Sequence, residues 1–252
     1  MVLFSMLIVA CGGGGGYVDF SEPVPSDPLP DAAVGGAWIG TDSFGNDVIA
    51  LSTDSGRLHW LLPDTGEQGF GTVSVQSRTT TIEFTYVAPP GFTLDDGSAS
   101  ATCAGGGLIG EREILNASIT CSTSLGGTYE NFVPFVYDPL YDRDSSLAQI
   151  AGNYDDAGQV INITAEGEVF AQNPVTGCII NGQIAIIDSQ FNAYDLSISY
   201  SSCIGDAANL NGSTFAGLGM LDDSVAPESA VVGLTGDIGG QTYSMVYVLT
   251  RL

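Results

Sequence analysis

The chain has 252 residues, 44% of them hydrophobic, and 29 acidic side chains against 5 basic ones give it a formal charge of −24 and a pI near 4.1. The only Lys or Arg residues are Arg57, Arg78, Arg112, Arg143 and Arg251, which excludes nucleic-acid recognition through clustered phosphate contacts. The apolar content excludes a disordered chain despite the charge, and the length suits one large domain or two ordinary ones.

Residues 1–10 form an apolar run interrupted by one serine. The run is too short to cross a bilayer, which takes about 20 apolar residues, but it has the length of a secretory hydrophobic region and ends in a small residue, Ala10. Ile8-Val9-Ala10-Cys11 resembles the lipobox of bacterial lipoproteins. The resemblance implies cleavage before Cys11, lipidation of that cysteine, and a membrane as partner through the lipid. The absence of Lys or Arg ahead of the run departs from the pattern. Gly12 stands where inner-membrane lipoproteins often carry Asp, which points to the outer membrane of the cell envelope. Residues 12–16 are all glycine, and Pro23, Pro25, Pro28 and Pro30 alternate with acidic residues through Asp31. Residues 11–32 therefore read as a lipid attachment point followed by a flexible, extended tether.

Beyond the tether the pattern is all-β. Short β-branched and aromatic runs, such as residues 80–87, 183–187, 194–200 and 243–250, are separated by turns rich in Gly, Asn and Asp. Tyr194-Asp195-Leu196-Ser197-Ile198-Ser199-Tyr200 alternates as a half-buried strand does. A repeat of roughly 110 residues runs through the body, longer than a solenoid period. In order, Gly36-Ala37-Trp38 pairs with Gly152-Asn153-Tyr154, the Val48 hairpin with the Val160 hairpin, and Thr65-Gly66 with Thr176-Gly177. Residues 71–75 then pair with 182–186, Cys103 with Cys203, Leu115-Asn116 with Leu210-Asn211, and residues 126–129 with 239–243. This predicts two similar tandem domains, 33–141 and 147–252, each a β-barrel or β-sandwich of about eight strands. Gly36-Ala37-Trp38 also resembles the Gly-x-Trp signature of lipocalin-like barrels, which implies a barrel able to carry a small apolar ligand.

With Cys11 assigned to lipid, Cys103, Cys121, Cys178 and Cys203 are an even set in an exported chain. Four cysteines allow three pairings, of which the domain split favours Cys103 with Cys121 and Cys178 with Cys203. A zinc site is disfavoured by the absence of Cys-x-x-Cys and by a single histidine. That histidine, His59, lies in the strand-like Arg57-Leu58-His59-Trp60-Leu61-Leu62, has Phe170 as its counterpart in the second repeat, and is accompanied by no Gly-x-Ser-x-Gly elbow. The acidic pairs Asp95-Asp96, Asp155-Asp156 and Asp222-Asp223 are the remaining candidates for acid–base work. Asp138, Asp142 and Asp144 form an oxygen cluster that calcium favours, without an EF-hand pattern. Residues 104–110, rich in glycine, lack a phosphate-loop ending and are expected to be a flexible loop between Cys103 and Cys121. No cofactor motif is present.

Three functions follow in order of support. The first is a non-enzymatic envelope module that binds a protein partner or contributes structure. The second is a carrier of a small apolar ligand in a barrel. The third is a hydrolase using His59 or an acidic pair.

Overall fold

The computed structural model describes residues 30–252. The signal segment 1–10, Cys11 and the tether up to residue 29 lie outside the described residues. The described chain forms two closed antiparallel barrels of eight strands each. The first contains β1 (Gly36–Thr41), β2 (Asp47–Ser52), β3 (Arg57–Leu62), β4 (Glu67–Gln76), β5 (Thr79–Val87), β6 (Ser100–Gly110), β7 (Ile114–Thr123) and β8 (Thr128–Asp138). A 3-10 turn at Pro139–Asp142 and one turn of helix, α1 (Leu147–Ile150), lead into the second barrel. Its strands are β9 (Gly152–Asp156), β10 (Gln159–Ile163), β11 (Glu168–Gln172), β12 (Ile179–Ile186), β13 (Tyr194–Ser201), β14 (Thr214–Asp222), β15 (Ser229–Ile238) and β16 (Gln241–Arg251).

Each strand pairs with its sequence neighbour, and each barrel is shut by its first and last strands. Ala37 lies opposite Asp138 in the first closure and Tyr154 opposite Arg251 in the second. Full closure leaves no strand edge to recruit other chains. The inward residues follow the period of two expected for strands: in β5, Thr80, Ile82 and Phe84 are buried between the exposed Thr79, Thr81 and Glu83. Both barrels use the same up-and-down strand order, so β1 corresponds to β9 and so on to β8 and β16. The Val48 and Val160 hairpins are β2–β3 and β10–β11, and the glycine turns at 126–127 and 239–240 both precede the last strand.

Three expectations are corrected. Residues 104–110 are not a flexible loop but lie in β6 (Ser100–Gly110), paired along its length with β5 and β7. Glycine is required there because strands approach closely: a methyl at Gly107 would stand 1.6 Å from the Asn116 carbonyl oxygen. Cys103 and Cys203 are not equivalent, since Cys103 lies in β6 and Cys203 in the β13–β14 connection. Leu115-Asn116 is in β7, whereas Leu210-Asn211 ends a 3-10 turn, Gly205–Leu210, in that same connection. Strand lengths differ between the barrels, so equal offsets in sequence do not mark equal places in the sheet.

Each disulfide stays within one barrel. Cys103–Cys121 joins directly opposed residues of β6 and β7, and Cys178–Cys203 ties the residue before β12 to the connection after β13.

The barrels pack flank to flank. β3 is buried on both faces: Leu58, Trp60 and Leu62 point into the first barrel, while His59 and Leu61 are covered by the second. The receiving surface is β14 and β15, where a methyl at Gly233 would stand 2.2 Å from Leu61 Cδ2 and 2.7 Å from Gln68 Oε1. Leu218 and Met220 of β14 join a buried apolar cluster made mainly of first-barrel residues. Arg57 pairs with Asp195 at 2.9 Å, and the Ser244 hydroxyl donates to the Gly66 carbonyl at 2.6 Å. Asn192, between β12 and β13, donates to the carbonyls of Leu140 and Leu221, and Phe191 stacks on Tyr141 at 5.1 Å.

Candidate ligand-binding site

Two barrels with the same strand order have different interiors. The second is filled by aliphatic side chains such as Ile161, Ile180, Leu196, Ile198, Val232 and Leu234, which leave a void of only about 40 Å³. The first holds a cavity of about 560 Å³, within the range of small-molecule sites.

The cavity lies at the end of the first barrel where β1 turns into β2, β3 into β4, β5 into β6 and β7 into β8. Residues of all four connections line it, among them Phe44, Thr65, Asp95 and Gly127. The opposite end is closed. There the incoming chain docks on the β4–β5 turn: the Ala32 amide donates to the Ser77 carbonyl at 3.0 Å, and Asp31 accepts from the Ser77 amide at 2.6 Å. Trp38 of β1 fills that end, fully buried, with its edge against Tyr137 at 5.2 Å and its indole N–H donating to Ser52 Oγ at 3.3 Å.

The floor of the cavity is aromatic. Trp60 from β3 stacks on Phe84 from β5 at 5.4 Å and meets the edge of Phe135 at 5.0 Å. Higher up stand Tyr86, Tyr129 and Phe44, the last two edge to face at 6.5 Å. Polar and charged groups form the lip. Asp42 is buried and saturated, accepting from the amides of Phe44 and Asn46 at 2.9 and 2.8 Å and from the Asn131 side chain at 3.2 Å. It shapes the lip and has little capacity left for a ligand. Asp96 accepts from Ser98 and Thr123, and these hydrogen bonds hold its carboxyl below the usual carboxylate range. Glu67 accepts from the Tyr86 hydroxyl at 2.8 Å. Asp95 is exposed at the opening.

Asp42, Glu67, Asp95 and Asp96 are the charged residues lining the cavity; no Arg, Lys or His is among its lining residues. Arg57, Arg112, Arg143 and Arg251 form ion pairs with Asp195, Asp142, Asp223 and Glu228, away from the opening. The tyrosines register the resulting field. Burial and then the Glu67, Asp96 and Asp95 carboxylates push Tyr129 up to about 12. Burial, then Glu67, pushes Tyr86 well above the ordinary tyrosine value, so both phenols stay neutral.

The remaining sequence candidates sit elsewhere. His59 is at the interface between barrels, its Nδ1 2.9 Å from Gln68 Nε2. Burial, reinforced by Arg57 and partly offset by Asp195, lowers it to about 4, so the ring is neutral. It is closed off from both the cavity and solvent. Its counterpart Phe170 occupies the same outward position on β11 and is 48% exposed, because no third barrel covers it. Asp155 and Asp156 lie on β9, and Asp223 pairs with Arg143. The oxygen cluster proposed for calcium is divided among other partners. Asp138 accepts from the Leu140 amide at 2.9 Å, and Asp142 holds Arg112 and the Tyr137 hydroxyl. Among the described residues no group of three or more His, Cys, Asp or Glu is placed to hold a metal ion.

No family model and no curated protein matches this chain.

Of the residues around the opening, the sequence marked Asp95-Asp96 as a candidate for chemistry, in a different role, and Thr65, Cys121 and residues 127–129 only as parts of the repeat or a disulfide. Trp60, Glu67, Tyr86 and Tyr129 converge through strand register. The signal available in sequence was the density of aromatics in β3 and β5 next to acidic turns, which does not say which side chains share a barrel end.

Proposed function

We propose that this chain is a lipid-anchored bacterial envelope protein that holds a small molecule in the mouth of its first barrel, with the second barrel as a brace. The carrying observation is the contrast between interiors: about 560 Å³ of cavity in one barrel against about 40 Å³ in the other, at the same strand order. A protein selected only to be a rigid spacer gains nothing from a hollow interior, since unfilled core space is destabilising. The ligand-carrier reading therefore ranks above a purely structural module. The hydrolase reading, by His59 or an acidic pair, ranks last: His59 does not line the cavity, and of the three acidic pairs only Asp95-Asp96 does, with no histidine or nucleophile-elbow serine beside it.

The anchor rests on Ile8-Val9-Ala10-Cys11 and the glycine run. The described chain enters the first barrel at its closed end, through Asp31 and Ala32.

The test is titration of the full chain with the apolar dye N-phenyl-1-naphthylamine. Saturable fluorescence at one dye per chain is expected, lost in Ile119→Trp, which fills the cavity, and in Thr65→Trp, which blocks its rim without touching the core. Absence of binding, or binding indifferent to the rim variant, overturns the reading.

A further inference from the structure

We infer that the ligand of the first barrel is a small organic cation, with its charged head among the carboxylates of the mouth and its apolar body on Trp60 and Phe84. This rests on the reading of the cavity as a ligand site and adds the ligand's chemistry.

Glu67, Asp95 and Asp96 line the opening, Asp42 lies behind them, and no cationic side chain lines the cavity. A cleft of one sign with low-dielectric walls concentrates its field inward, so an anionic ligand is repelled and a cation attracted. Glu67 is well placed to serve, since its close partners are two neutral hydroxyls, those of Tyr86 at 2.8 Å and Thr65 at 3.2 Å. Trp60, Phe84, Tyr86, Tyr129 and Phe44 present ring faces and edges beneath and around the carboxylates. Aromatic faces attract a desolvated cation and also accept apolar bulk.

A metal ion does not satisfy the same geometry. A hard cation needs several oxygens drawn together within about 2.0–2.6 Å of one point. Among the described residues no such group of three exists, and Asp42 and Asp96 are already engaged by backbone and hydroxyl donors. The negative charge is spread around a wide opening, which matches the diffuse charge of an ammonium group with carbon substituents.

The experiment compares benzyltrimethylammonium with its uncharged carbon isostere, 2,2-dimethylpropylbenzene, on the unaltered full chain. Both are followed by the Trp60 indole NMR signal, with Trp38 at the closed end as an internal control. The cation is expected to bind about tenfold more tightly, as a single desolvated charge contact of ~1–2 kcal/mol would give. The preference should fall to about twofold or less in Glu67→Gln with Asp95→Asn, and in about 1 M salt, where screening acts within a few ångströms. If the isostere binds as tightly as the cation, the cavity is a ligand site without charge selection and this inference fails alone. It also fails alone if neither binds while N-phenyl-1-naphthylamine is held. If the dye is not held either, the cavity reading fails with it.

Discussion

His59 shows how one side chain reports on the packing of two domains. Its neutral ring is sealed between β3 and β14, and its folded-state value of about 4 lies below the unfolded 6.5. Between these values the unfolded state binds more protons, so stability falls as pH drops through the window and levels off below it. The loss attributable to His59 is about 3 kcal/mol at most, at 1.36 kcal/mol per unit. Urea denaturation from pH 7 to pH 4 should therefore show a steeper decline for the wild type than for His59→Gln. Parallel profiles would contradict the account. Ala157 offers a gain of the opposite kind. With Gly158 it forms the two-residue turn between β9 and β10, and both have positive φ, 48° and 90°. Alanine is strained there, whereas Asn-Gly is the preferred pair for such a turn. Ala157→Asn should raise stability by about 0.5–1 kcal/mol, seen as a higher melting temperature with unchanged denaturant slope.

At the scale of elements, the strands that break the alternating pattern are those with two covered faces. Leu58 to Leu62 is buried without interruption, as is Phe215 and then Gly217 through Leu221, whereas β5 and β13 alternate. Uninterrupted apolar stretches are what double-sided burial requires, so this feature was visible in the sequence, although what covers the outer face was not. Glycine on β15 admits Leu61 and Gln68 to the contact. Gly233→Leu should cost about 2 kcal/mol through overpacking, and its chemical-shift changes should concentrate on β3 and β4 rather than on the cavity mouth. The disulfides make a second element-scale prediction. Cys178–Cys203 closes a separation of 25 residues and holds two irregular connections, whereas Cys103–Cys121 spans 18 within an already paired ladder. Replacing Cys178 and Cys203 by Ser should cost about 3 kcal/mol. It should also raise amide exchange in residues 202–213 ahead of the rest of the barrel.

For the whole molecule, the proposed address can be tested apart from the ligand. Expressed from its own precursor in a bacterium, the native chain should fractionate with membranes and begin at a lipid-modified Cys11. Cys11→Ser should move it to the soluble fraction. An unmodified native chain that retains Met1 would refute the anchor.

Much of the architecture was legible in sequence for a local reason. Strand and turn propensities, the period of two and the charge balance are properties of neighbouring residues, so an all-β chain with repeated hairpins near Val48 and Val160 could be read directly. The repeat was misread where connections differ in length, at Cys203 and Leu210-Asn211, because position along the chain and position in the sheet diverge there. Only the tertiary structure decided which barrel is hollow. That depends on how far the side chains of facing strands reach across a closed barrel, and on a register that brings Trp60, Phe84, Tyr86 and Tyr129 to one end beside Glu67 and Asp95. It also decided that His59 is covered while Phe170 is exposed. The two residues occupy like positions in like strands, and only the first faces another barrel.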